Sequence, residues 1–439
     1  MTTKGWTLAV LVNAMSWACG DPAAGPDGAL RPSFAAGGVG RPSVLVNPNS
    51  DDNGTAKTIQ EGIDMVGDGG TVMVLPGTYS EAIVIDKGLT LEGIADGSGS
   101  VIVEQIRTTP PPDGGQASAI RVATSEPVVI RDLTVHHVGV RGVNGYAAPG
   151  SPAVAVDLTI EGVTFDGAYP FPAPNFNNGV SVVNNTAQSG GRARLAIRGT
   201  VIRTDGIGVS LGGDVDAVID GNVIGGSTPG VPGACVFVSP TGQGVTVPAG
   251  AETHVDIVNN KLEQCGTNLA GRIANGIQVT GAVGDPTTGT VNIVGNTMQN
   301  TIRAAGACNT AGINYQFYSG RIEHNTFTNV VQGCALDVAQ ARPAAIWVGT
   351  RTLALPPVQV TVRFNDIQGN AFAGLRIGGN QTIAINASCN YWGSANGPSS
   401  VGSSTGTDAI VLEAPAMTPT PVYLPFATAP IAGTGATRC

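Results

Sequence analysis

The chain has 439 residues, of which 63 are glycine and 29 proline, with only 12% charged and a net charge of −9. Its 22 Lys and Arg are scattered, so the chain lacks the clustered cations that a nucleic-acid partner requires. No segment past the N-terminus is apolar for long enough to span a membrane as a helix.

In chain order, residues 1–19 carry Lys4, an apolar stretch from Trp6 to Val12 and Ala18 before Cys19, the pattern of a secretory signal peptide. Ala18-Cys19-Gly20 resembles a bacterial lipoprotein processing site with Cys19 as the lipidated residue, although Ser16 stands where that pattern has a Leu-like residue. The expected location is therefore outside the cytoplasm, either on the outer membrane or cell surface as a lipoprotein or freely secreted. Membrane contact is expected only through the lipid anchor. Residues 20–42, rich in Gly, Ala, Pro and Asp, read as a flexible tether.

Thr58 and Glu61 have capping-box spacing, and Ile59, Ile63 and Val66 form one apolar helical face, so a short cap helix begins here. In "VLPGTYSEAIVIDKGLTLEGI" (74–94), strands are expected at Val72–Leu75, Ile83–Ile85 and Leu89–Ile94. Pro-Gly-Thr-Tyr and Asp-Lys-Gly serve as the turns between them.

From there a repeat runs behind unequal loops. Ile130, Ile160, Ile197, Ile219, Ile257, Ile293, Ile322 and Val362 are markers with an apolar residue five positions later and, except at Gly320, another two positions earlier. Three positions after the marker the residues are Leu133, Val163 and Thr200, then Asn222, Asn260, Asn296, Asn325 and Asn365. Asn suits a left-handed turn, and stacked amides can bond one another from coil to coil. A second strand type opens with glycine, as in "GVSV" at 179, "GIQV" at 276, "GINY" at 312 and "GLRI" at 374. The fold class is all-β: a single right-handed parallel β-helix, or solenoid, with a short N-terminal cap helix. It is expected over residues 43–415, with residues 416–439 as a tail packed on its end.

These residues resemble the right-handed parallel β-helix proteins of the pectin-lyase-like group. The resemblance rests on "TIQEGIDMVGDGGTVMVLPGTYSEAIVIDKGLTLEGI" at the start and covers roughly residues 44–415. "CNYWGSANGPSS" (389–400) resembles the segment that ends the helix in bacterial surface members. The catalytic segments of pectin methylesterases, alginate epimerases and polygalacturonases have no counterpart here, so the resemblance carries over no catalytic residue.

Candidate site residues therefore come from the outward positions. The position after the marker reads Arg131, Glu161, Arg198 and Asp220 on successive coils; the position three before it reads Asp157, Arg194, Asp216 and His254, with Asp256 beside the last. One account is alternating surface ion pairs of ~0.2–1 kcal/mol each. The other is a uronate site, with Arg194 and Arg198 on carboxylates, Asp216, Asp220 and Asp256 around a calcium ion, and His254 as the proton-transfer group. His136, His137 and His324 read as core or turn residues, and "YPFPAPNF" (169–176) as an aromatic loop that is either a lid or a ligand contact.

Six cysteines follow Cys19, an even number for an exported chain. The expected bonds are Cys389–Cys439 closing the C-terminal cap, Cys308–Cys334 on adjacent coils, and Cys235–Cys265 by elimination. No Cys/His spacing suggests a metal. The leading functional reading is an exported β-helix surface protein, structural or carbohydrate-binding, whose partner is a polysaccharide or cell-envelope component. The alternatives are a polysaccharide lyase acting on uronate-containing glycans through Asp216, His254 and Arg198, and a protein-binding adhesin. No cofactor is expected beyond calcium for a lyase, and the oligomeric state is open.

Overall fold

The computed structural model describes residues 40–439 except 53, 96, 98, 110–116, 146–153, 169–177, 185–190, 227–233, 241–249, 266–274, 282–287, 300–301, 304–310, 329, 333–343, 351–354, 371–372, 403–407, 414–417 and 432–438. The signal segment with Cys19, nearly all of the tether, the 169–176 loop and the Cys308–Cys334 pair lie outside the described residues.

Each coil contributes one strand to each of three parallel sheets. In one coil, Asp157–Glu161 lies on sheet A, Thr164–Ala168 on sheet B and Val180–Asn184 on sheet C; the next coil repeats this with Ala193–Arg198, Val201–Thr204 and Val209–Gly213. Among the described residues sheets A, B and C have 11, 10 and 12 strands. The result is a parallel β-helix, and its register is that of the sequence alignment: Ile130, Ile160, Ile197 and Ile219 are paired in turn across the ladder.

The markers and the residues two before them point inward and are fully or almost fully buried. Each apolar side chain withdrawn from water contributes on the order of 1.5–3 kcal/mol, and no coil can bury its own face, so the core exists only as a stack. The one break in the pattern, Gly320, has a packing cause. The Tyr315 hydroxyl crosses the core to donate to the carbonyls of Val291 and Ser319, and a Cβ at position 320 would lie 2.6 Å from it.

The helix Ile59–Met65 carries the expected capping box between Thr58 and Glu61, and buries Ile59 and Ile63 at the N-terminal end. Two local expectations need correction. Gly77–Ser80 is a strand rather than a turn: it opens sheet B, pairs with Val101–Glu104, and buries Tyr79, whose hydroxyl donates to Leu75 O at 2.8 Å. The left-handed residue of the turn between sheets A and B is not the asparagine but its predecessor, with φ near +55° to +70° at Gly199, Gly221, Asn259, Gly295, His324 and Phe364.

The asparagines instead form a ladder. The Asn260 side-chain oxygen accepts from both the backbone N–H and the amide of Asn222, Asn296 does the same for Asn260, and the series runs through Asn325 and Asn365 to Asn390, with distances of 2.8–3.0 Å. Thr200 N–H donates to the first member, Asn222. Every buried turn amide along this edge is thereby satisfied without water.

At the C-terminal end, Ile410–Leu412 is a strand of sheet C beside Leu375–Ile377, and Trp392 is buried against Gly374. Residues 422–427 form a last rung along 385–390, with Val422 N donating to Ile385 O and Cys389 N to Pro425 O. Cys389 and Cys439 are bonded, as are Cys235 and Cys265, with Cα separations of 4.8 and 5.3 Å. Pro421 and Pro425 stand in that last rung, where missing N–H groups discourage addition of another strand.

Candidate functional site

From strand Pro127–Arg131 onward the turns from sheet A to sheet B are two residues long, and the candidate residues lie on the outer face of sheet A. On that face the ladder pairs Asp157 with Arg194, Arg194 with Asp216, and Asp216 with His254. A second column pairs Arg131, Glu161, Arg198 and Asp220 in turn. Between the columns lie the short side chains Thr159, Ala196 and Val218. The sheet is therefore dished into a groove of about 360 Å³, walled by Asp157, Arg194, Asp216, His254 and Asp256. Successive coils bring these residues about 4.8 Å apart, although the paired neighbours Asp216 and His254 are 38 positions apart in sequence (254 − 216).

Most of the charged groups are engaged. Arg194 approaches Asp157 at 3.5 Å, and Arg198 approaches Glu161 at 3.5 Å. Asp256 accepts from Asn292 Nδ2 at 2.8 Å, and Asp220 from Asn259 Nδ2 at 3.0 Å. His254 has Thr290 Oγ1 3.0 Å from Nδ1 and Glu252 3.4 Å from Nε2. At the rim, Arg192 bonds Asp214 at 2.6 Å, Asp216 at 3.3 Å and Glu252 at 2.8 Å. Its hydrogen bond, followed by that of His254, holds the Glu252 carboxyl below the usual carboxylate range, and the same contacts raise Arg192 above an ordinary guanidinium. Arg192 was missed in sequence because it lies one strand position outside the marker frame. Its signal was the run Arg192-Ala-Arg194, which puts two arginines on the same side of a strand.

The calcium expectation fails on geometry. Asp216 and Asp220 lie four residues apart on one extended strand, about 13 Å. One ion takes its oxygens at about 2.3–2.6 Å, so the two carboxylates cannot share it. Asp256 faces Val218, between them. Among the described residues no group of three or more acidic, His or Cys side chains is arranged for a metal.

The remaining histidines are structural. His136 Nδ1 lies 3.2 Å from Asp166, His137 is buried with Nδ1 2.9 Å from Val140 O, and His324 stacks on Phe364 in the left-handed turn.

Sheet C carries the other concentration of polar side chains. Its outward column runs through Asn144, Ser181, Ser210, Phe237, Gln278, Asn314, Trp347 and Arg376, and most of it is buried. Arg376 pairs with Glu413 and lies 4.0 Å over the Trp347 ring. Ser181 Oγ, Ser210 Oγ and both amide atoms of Asn314 have no hydrogen-bond partner among the described residues. The sequence signal was present in the third residue of "GVSV", "GIQV", "GINY" and "GLRI", which is polar, although "GIGV" at 206 has Gly208 there.

No protein-family model matches the chain, and no curated protein matches it significantly.

Proposed function

We propose that the protein is an exported β-helix of the pectin-lyase-like type that binds a polysaccharide along the outer face of sheet A without cleaving it. The observation that carries this reading is the groove over Thr159, Ala196 and Val218, whose walls alternate hydrogen-bond donors and acceptors at coil spacing. A chain of sugar hydroxyls meets such walls favourably, and the Arg194 guanidinium, with 71% of its side chain exposed, is the group offered to a uronate carboxylate. The non-catalytic half of the proposal rests on the engagement of both acid–base candidates, Asp216 with Arg192 and His254 with Thr290 and Glu252. Export is supported by two disulfides, which persist in oxidising compartments, and by the N-terminal pattern ending at Cys19. A membrane or cell-envelope attachment through lipidated Cys19 is part of the same proposal.

The experiment is titration of purified protein with a panel of neutral and uronate-containing polysaccharides, followed both by calorimetry and by absorbance of unsaturated products. Binding without product formation supports the proposal. Product formation replaces it with a lyase, and absence of binding across the panel, with capture of a surface protein instead, favours an adhesin.

A further inference from the structure

The charges on the outer face of sheet A are sorted by coil. Strand Asp157–Glu161 presents Asp157 and Glu161, Ala193–Arg198 presents Arg194 and Arg198, and Val215–Asp220 presents Asp216 and Asp220. Glu252–Val258 follows with His254 between Glu252 and Asp256. These strands are paired in that order, and all four wall the groove. One coil of the four is therefore rich in guanidinium groups, and an acidic coil lies on each side of it.

The cationic coil is accessible. Arg194 and Arg198 keep 71% and 50% of their side chains exposed, and each approaches its carboxylate, Asp157 or Glu161, at 3.5 Å. Such open pairs are weak and screened, so an incoming carboxylate can displace them. The third guanidinium of the coil, Arg192, is committed to Asp214, Asp216 and Glu252. The flanking carboxylates are open as well, with 34% of the Asp157 side chain and 42% of the Asp216 side chain exposed.

Coils are spaced about 4.8 Å apart, and an extended pyranose chain advances by nearly that distance per ring. A glycan lying along the groove thus meets one coil with each ring. The ring over Arg194 and Arg198 gains a charge-assisted contact if it carries a carboxylate. Its neighbours lie over Asp157 and Asp216, where a carboxylate is repelled and a neutral hydroxyl donates a hydrogen bond. The net charge of −9 acts in the same direction against a polyanion.

Resting on the reading of sheet A as a glycan-binding face, we propose that the groove is specific for a heteropolysaccharide in which single uronates are flanked by neutral sugars, and that it discriminates against homopolymers of uronate. The specificity-determining residues are Arg194 and Arg198 for the acidic ring and Asp157 and Asp216 for its neighbours.

The test is calorimetric titration of the full chain with three linear tetrasaccharides: neutral cellotetraose, the gellan repeat with one glucuronate between neutral sugars, and tetragalacturonate with a carboxylate on every ring. The gellan repeat is expected to bind about tenfold tighter than cellotetraose, and tetragalacturonate weaker than cellotetraose. Asp216→Asn removes one flanking carboxylate and is expected to narrow the tetragalacturonate deficit several-fold. Should Asp216→Asn fail to fold, wild type in rising sodium chloride takes its place, and screening is expected to bring the three affinities together. Three results overturn the proposal while leaving sheet A a glycan-binding face: tetragalacturonate as the tightest ligand, equal affinities for the gellan repeat and cellotetraose, or a tetragalacturonate deficit unchanged by Asp216→Asn or by its substitute, salt. Binding of none of the three overturns it too, and the polysaccharide panel then decides separately whether sheet A binds glycans at all.

Discussion

The outer faces of sheets A and C are built from the same ladder, yet one is open and charged and the other is buried and polar. On sheet A the strands alternate between core and solvent, as in Val215–Asp220, where Ala217 and Ile219 are buried and Asp216, Val218 and Asp220 stay partly exposed. On sheet C, strands Val180–Asn184 and Val209–Gly213 are buried at every position. The difference follows from where the chain spends its extra length. From Arg131 onward the turns from A to B are two residues long, and the asparagine ladder lines the later ones, whereas the connection from sheet B to sheet C runs, for example, from Ala168 to Val180. In a solenoid, then, the loops rather than the strands decide which face is available to a partner.

The largest effect should come from the buried side. Arg376→Ala removes one partner of the buried ion pair with Glu413 and the cation over Trp347, so a loss of about 3–5 kcal/mol is expected in denaturant unfolding. A loss below about 1 kcal/mol would mean that sheet C is as wet as sheet A.

Next comes the turn that keeps the two faces distinct. Asn296→Ala leaves the backbone and side-chain donors of Asn260 without their acceptor, for an expected cost of about 2–3 kcal/mol. Chemical unfolding checks it, with Asn292→Ala on the outer face of the preceding strand, Thr288–Val294, as the near-neutral control.

The third is a pH effect at the end of sheet B. Burial, and then the charge of Asp408, raise the Asp366 carboxyl to about 6. The folded chain therefore holds this proton more tightly than the unfolded chain, whose Asp titrates near ~3.9. Stability from this group is full below about pH 4 and declines as pH rises to about 6. Asp366→Asn should flatten that decline and recover about 1–2 kcal/mol at neutral pH. A steeper decline in the variant would contradict the assignment.

The smallest stability effect belongs to the open face. Arg194→Ala removes a half-open ion pair and should change stability by less than about 0.5 kcal/mol.

Much of this architecture was legible because its causes are local and periodic. The Ile130-to-Val362 markers, the asparagines and the paired columns Asp157–Arg194–Asp216–His254 follow from side chains alternating across a strand and repeating at one coil. What was misread depends on context that periodicity does not carry. Gly77–Ser80 has turn-forming residues, and only its pairing with Val101–Glu104 makes it a strand. The left-handed position was displaced by one because both asparagine and the glycine before it, as at Gly221-Asn222 and Gly295-Asn296, suit a left-handed backbone, and residue type alone does not choose between them. The sheet C column was overlooked because a polar residue between apolar ones, as in Val180-Ser181-Val182, marks an outward position but not whether that position is buried. Arg192 was overlooked because its partners Asp214, Asp216 and Glu252 come from two later coils.

The most direct measurement of the account is a paired calorimetric titration of Arg194→Ala on sheet A and Gln278→Ala on sheet C with the polysaccharide that wild type binds. The account predicts about tenfold weaker binding for Arg194→Ala, the loss of one charge-assisted contact, and wild-type affinity for Gln278→Ala. Wild-type affinity in Arg194→Ala together with weakened binding in Gln278→Ala would place the ligand on the other face and contradict it.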